Sequence, residues 1–365
     1  MTTVRPGSDN DTEGWRLVEE LKLGTVTGDR PQSFADIHDL TVDGSGRIYV
    51  LDVGSKEVRV FDRRGGFVRS VAPEGGGPGE WQYRRRANQQ VVWQAPNRLW
   101  ITDGRQRVIL DTLGNELSRL ASDRNYFRAG ELPTSAKVIG ADARGSVFAR
   151  VDVIDIRGFG QSVVPQYTYV ARLPVSAAHE VLPGDTLLIE TRNITMSGGN
   201  PQSVGAGRGQ LTLERPQGTA TARFAWTVER DGTLWLVQRA RYRFDKLTFK
   251  GDTIRTVRMG DAEPWPANES EFTPVIADLD SSPEGWLWVR REEAETEGAT
   301  TWHVLDNCGR YRGTVTVPVR LRALHVGGGG EVYGVASDAL DIDYVYRFRL
   351  VSTSGIPVSA ETCSF

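Results

Sequence analysis

Four side chains able to do chemistry fall within one four-residue window of a repeating pattern: His38 and Asp39 in its first unit, Asp280 in its fifth and His325 in its sixth. Two imidazoles and two carboxylates held together would suit a divalent metal, or proton transfer by a general acid and base. Neither chemistry is spelled out. There is no HExxH spacing, and the other two histidines, His179 and His303, fall on outer strands or turns. A solvated or structural pair is the plainer reading of His38 and His325. Gln89, Lys137, Asp278 and Arg322 occupy related places, and the eight residues together make the candidate ligand-binding set.

Those places are counted from a signature that occurs six times: an aliphatic residue, an aromatic one, then a mostly small or aliphatic one. It reads Ile48-Tyr49-Val50, Leu99-Trp100-Ile101, Val147-Phe148-Ala149, Leu234-Trp235-Leu236, Leu287-Trp288-Val289 and Val332-Tyr333-Gly334. Six aromatics in six middle positions are far from chance in a chain that is 9% aromatic. Successive signatures begin 51, 48, 87, 53 and 45 residues apart, the period of propeller blades. The gap of 87 reads as an insertion, because the Gly-, Ser- and Asn-rich stretch at 193–209 suits a long loop better than a seventh blade.

Blade one shows the unit. An alternating strand from Ile37 to Val42 ends at the turn Asp43-Gly44-Ser45-Gly46, the signature strand follows, and two more strands come before and after a second Gly turn at 62–66. The fold expected is therefore all-β: a six-bladed β-propeller with four antiparallel strands per blade. Residues 1–365 form one domain, with blades at about 34–74, 86–122, 134–191, 211–260, 273–318 and 321–351 and an inserted loop at 192–210. Blade six lacks a fourth strand, and the strand-like segment at 15–24 has no blade of its own. It is expected to close the ring by completing blade six, which removes the exposed edge of an open array.

A net charge of -3 and a pI near 5.9 give no general attraction to nucleic acid or an anionic membrane. No apolar run is long enough to span a bilayer, and a monomer is expected. The first fourteen residues are polar and lack the apolar core of a signal peptide. The protein is thus read as cytoplasmic, or as exported or periplasmic if a signal has been removed and replaced by a new Met.

The stretch from Asp39 to Asp52, followed by Val58 to Asp62 and Gly65, resembles an NHL-type repeat. The link Gly75-Gly76-Gly77-Pro78-Gly79-Glu80-Trp81 is similar to the Gly-Pro-Gly-Glu-aromatic link of bacterial six-bladed β-propeller proteins of the NHL-repeat-like, TolB-like group. Val332 to Leu350, with Asp338, Asp341 and Asp343, resembles their last blade. The likeness runs through nearly the whole chain and fades in blades three and four. It implies a fold more than an activity, since that wider group includes interaction and RNA-binding modules, lactonases and lyases. A lactonase-like calcium cage would draw on Asp39, Asp278 and Asp280, but the Glu and Asn ligands have no counterpart here. The zinc site of amidating lyases needs more histidines than this chain offers.

Ten residues before each signature stand His38, Gln89, Lys137, Phe224, Ala277 and Arg322. One further on come Asp39, Gln90, Val138, Ala225, Asp278 and Ala323; two beyond that, Thr41, Val92, Gly140, Thr227, Asp280 and His325. The starts of these innermost strands should ring one mouth of the central channel, the default binding site. The expected function is non-catalytic recognition there of a protein, peptide, glycan or small ligand. The alternative is a metal-assisted hydrolase or lyase at the same mouth, with a divalent metal such as calcium; no other cofactor is implied. The run Arg84-Arg85-Arg86 and the acidic run at 292–297 lie on loops expected near that mouth. The glycine runs at 327–330 and 205–209 lack the Lys and the strand-helix context of phosphate and dinucleotide sites.

Cys308 and Cys363 are too few for a disulfide framework and are not spaced as a metal site. If the protein is exported they are expected to pair, because Cys308 sits in the last hairpin of blade five and the C-terminal tail leaves blade six beside it. Closing such a loop is worth about 4 kcal/mol.

Overall fold

Apolar side chains at alternate positions give each strand two buried faces, one for each neighbouring blade. Tyr49 and Leu51 pack toward blade two, whereas Ile48 and Val50 pack toward blade six. In the computed structural model the described residues are 2–4, 15–26, 30–83, 89–102, 106–121, 131–155, 163–182, 184–195, 224–238, 243–259, 276–291 and 300–352. They form a six-bladed β-propeller in which every blade has four antiparallel strands, consecutive in sequence in all blades but the sixth. The innermost strands are Ile37–Val42, Gln90–Gln94, Glu131–Ala141, Phe224–Val228, Ile276–Ser281 and Ala323–Val326.

The six signature aromatics all lie on second strands and none is more than 1% exposed. They fill the spaces between blades, where each large apolar side chain contributes roughly 1.5–3 kcal/mol. The core is accordingly divided among the blade interfaces. Trp235 and Val237 of blade four meet Leu287 and Val289 of blade five, and Trp288 and Trp302 of blade five meet Val332 and Phe348 of blade six.

The ring closes as the sequence predicts. Trp15–Leu23 pairs antiparallel with Asp343–Ser352, from Trp15 opposite Ser352 to Leu23 opposite Val345, as the outer strand of blade six. Trp15 also stacks on Trp286 of blade five, ring centres 5.3 Å apart, so the strand joins two blades.

Two features differ from the sequence reading. Thr2–Val4 adds a fifth strand to blade four, parallel to Thr253–Met259; three residues carry too little pattern to announce a strand. The strands of blade three are also longer, and its outer strand, Asp185–Thr195, continues through 192–195, into the stretch read as loop. The rest of that loop, the basic run at 84–86, the acidic run at 292–297 and Cys363 lie outside the described residues. No described helix is long and apolar enough to cross a membrane.

Candidate functional site: the central channel

An innermost strand has its outer edge in the sheet and its inner edge turned to the channel, where backbone N–H groups need other partners. Side chains of the preceding blade supply them. Asp39 Oδ2 accepts the N–H of Val91 at 3.1 Å, and Thr41 Oγ1 accepts that of Trp93 at 3.1 Å. Asp280 Oδ2 accepts the N–H of Val326 at 2.8 Å. Each acid also takes the N–H of the residue that follows it, Leu40 at 2.9 Å and Ser281 at 2.8 Å. Both carboxylates are thus fixed at both oxygens.

Strand register puts Thr41, Val92, Gly140, Thr227, Asp280 and His325 each opposite a signature aromatic. All six line one cavity of about 750 Å³ around the propeller axis. The cavity runs from Asp39 to the end of the channel ringed by the inner turns, where Arg63, Glu284, Glu331 and Arg349 stand. Arg63 and Arg349 both bind Glu331 there.

Of the eight candidate residues, the structure brings Asp39, Asp280 and His325 together in the cavity wall. The imidazole of His38 lies 3.6 Å from an Asp36 carboxylate oxygen, and His38 is not part of the cavity wall. Gln89 is buried away from the cavity and donates to the carbonyl of Gln82 at 3.0 Å. Asp278 is exposed, its carboxylate accepting the N–H of Leu279 at 2.9 Å. Arg322 binds the Asp343 carboxylate at 2.5 Å, within the joint between blades six and one. Lys137 stands opposite Arg150, the place that Asp39 holds in blade one, because a bulge at Ile139 inserts one residue. Val138, assigned to that place by counting, is one step off; the side chain of Lys137 is outside the described set.

Burial pushes the Asp280 carboxyl up to about 7, against the two N–H groups that favour its charge, and the charges of Asp278 and Asp39 add to the rise. Burial also lowers the His325 imidazole to about 4. Near neutral pH the cavity therefore holds a carboxyl near its midpoint and an uncharged imidazole. Among the described residues, no group of three or more His, Cys, Asp or Glu side chains converges as a metal site.

A second set of polar residues escaped sequence reading. Six residues before the aromatic, at the first inner turn, stand Asp43, Gln94 and Glu229, which accept the polar tips of Tyr49, Trp100 and Trp235 at 3.2, 2.9 and 2.6 Å. In blade three the aromatic is Phe148, which has no donor, and Asp142 takes Arg172 instead at 3.1 Å. In blade six Glu331 serves Tyr333 at 2.7 Å. A fixed offset between an acid or amide and the repeated aromatic was the available signal.

A family described as a 6-bladed beta-propeller, DUF5128, matches residues 27–110. No curated protein matches the sequence. Among solved structures, a member of the DUF4221 family from Bacteroides vulgatus is similar at 9% identity and a TM-score of 0.52, covering 94% of this chain and 100% of that one. Virginiamycin B lyase from Staphylococcus aureus aligns at 10% identity and a TM-score of 0.45, over 92% and 99% of the two chains. The calcium-binding protein regucalcin from Agrobacterium tumefaciens aligns at 12% and 0.43, over 99% and 97%. At such identities the likeness is one of fold.

Proposed function

We propose that this is a non-catalytic binding propeller that takes a small polar ligand, or the tip of a larger one, in its central channel. The observation that carries this reading is the axial cavity of about 750 Å³ with Asp39, Thr41, Thr227, Asp280 and His325 in its wall. That volume is in the range of small-molecule sites, roughly 300–1,000 Å³. The pinned carboxylates favour recognition over chemistry, since neither can swing toward a metal or a reacting atom without releasing a backbone N–H.

Gly140 offers a direct test. It lines the cavity, and a Cβ added there meets no atom within 4 Å. Gly140→Trp should plug the channel and leave the fold intact. A screen of small polar molecules by thermal shift should yield ligands whose effect disappears in Gly140→Trp. Ligands that stabilise the plugged variant equally would overturn the channel as the site.

A second reading rests on one specific observation, the Asp280 carboxyl poised near neutrality in the cavity that also holds uncharged His325. On that reading the protein is a hydrolase or lyase with these two groups as proton donor and acceptor. Turnover in a lactone, ester or lyase screen that vanishes in Asp280→Asn would select it. We also read the chain as a relative of the NHL-repeat-like group, monomeric and exported. A disulfide at Cys308 supports an oxidising compartment.

A further inference from the structure

On the reading of the channel as a binding site, we infer that its ligand carries an oxyanion, a carboxylate or a phosphate, seated on Arg230 and Arg63 at the turn end of the cavity. Arg230 lies on the first inner turn of blade four, and its carbonyl accepts the N–H of Ala143 of blade three at 2.8 Å. Its exposed guanidinium makes no hydrogen bond or ion pair among the described residues. The side chain of Arg63 in blade one is 54% exposed and binds Glu331 through one terminal nitrogen, which leaves its other N–H groups to donate. Blades one and four stand on opposite sides of the six-bladed ring, so an anion on the axis meets guanidinium donors from two directions.

The acids of the turn end are already answered. Asp43 is bound by Arg47 at 2.8 Å and Asp142 by Arg172 at 3.1 Å. Glu20 and Glu331 are shared among three arginines, Arg63, Arg347 and Arg349, which leaves one positive charge over. The charge of Glu284 balances that of Arg230, and one of its oxygens is held by the N–H of Gly329 at 2.8 Å. The turn end thus keeps a surplus of positive charge together with unused guanidinium donors.

The acids at the other end set the direction of the ligand. Asp39 takes two backbone N–H groups and has a further partner, and Lys137 stands at its level in blade three. Asp280 holds a carboxyl near its midpoint at neutral pH. An anionic group is therefore placed away from them, with the uncharged part of the ligand toward Thr41 and Thr227. Arg230 also lines a smaller cavity of about 420 Å³ between blades four and five. There Glu229 and Lys246 pair at 2.7 Å, and Asp231 and Glu284 outnumber Arg230, so the channel is the side that favours an anion.

The test is titration calorimetry of the whole chain with citrate and inorganic phosphate at low ionic strength, with choline and glucose as cationic and neutral probes. Saturable binding of citrate, phosphate or both is expected, weakening as salt is raised; which of the two binds distinguishes a carboxylate from a phosphate ligand. Arg230→Ala should weaken it at least about tenfold, the scale of one charge-assisted hydrogen bond, at an unchanged melting temperature. Gly140→Trp should abolish it, with circular dichroism confirming the fold. Anion binding that Arg230→Ala leaves intact overturns the inference, and so does the absence of binding by both anions. Choline or glucose binding that Gly140→Trp removes, in that case, leaves the channel reading standing. Anion binding lost in Arg230→Ala but kept in Gly140→Trp moves the site to the cavity between blades four and five and overturns both.

Discussion

The Asp343 carboxylate accepts the N–H of Ile37 at 2.7 Å, a bond between the third strand of blade six and the innermost strand of blade one. Asp343 is almost fully buried and also binds Arg322 at 2.5 Å and the Ser337 hydroxyl at 2.8 Å. Asp343→Ala leaves a buried N–H and a guanidinium without their acceptor. A loss of about 1–3 kcal/mol is expected in denaturant unfolding. Arg322→Gln should lower stability less, since Arg322 itself is exposed, and should leave ligand affinity unchanged. Weakened binding in Arg322→Gln at unchanged stability would return Arg322 to the site.

Asp280 and His325 oppose each other in the pH dependence of stability. The folded state holds the Asp280 proton up to about pH 7, so it binds more protons than the unfolded chain between roughly pH 4 and 7, and this group adds stability as pH falls through that window. For His325, lowered to about 4, the unfolded chain binds the extra proton between roughly pH 6.5 and 4, and stability falls with pH. In His325→Gln the melting temperature should therefore rise on acidification from pH 7 to 4. In Asp280→Asn it should fall over the lower window. Each slope is bounded by about 1.4 kcal/mol per pH unit; equal profiles in the two variants would falsify the assignment.

Deleting residues 1–24 should give insoluble protein or a broad, uncooperative melt. Blade six would lose its outer strand, and blade five the stacking of Trp15 on Trp286. A truncated chain that melts like the full-length one would remove the closing strand from its role.

Cys308 is disulfide-bonded, and the sequence has one other cysteine, Cys363, which lies outside the described residues. Thiol titration in denaturant without reductant should find no free thiol in protein from an oxidising compartment. Two free thiols there would rule out the pair.

Much of the fold is legible because it repeats. Burial selects the same aromatic at the same height in every blade, and register then places Thr41, Asp280 and His325 opposite it by simple counting. Counting fails where the backbone departs from regularity, as at the bulge of Ile139 that moves Lys137 into the place assigned to Val138. The candidate site was half legible. Polarity at strand starts marked Asp39 along with Gln89 and Arg322, but whether a polar side chain faces the channel or bonds to Gln82 or Asp343 depends on contacts between distant segments. No local pattern encodes those.

Closure by Trp15–Leu23 also orders events in time. Its partner, Asp343–Ser352, is among the last parts of the described chain to leave a ribosome. The early blades can pair their own strands as hairpins as they emerge, whereas the closing strand must wait for more than three hundred residues of synthesis. Pairing across so long a separation is slow to form, and the waiting edge is a site for misassembly. A circular permutant that begins at a loop inside the propeller and joins the present ends would turn the clasp into a local contact, and it should refold faster than the native order at the same final architecture.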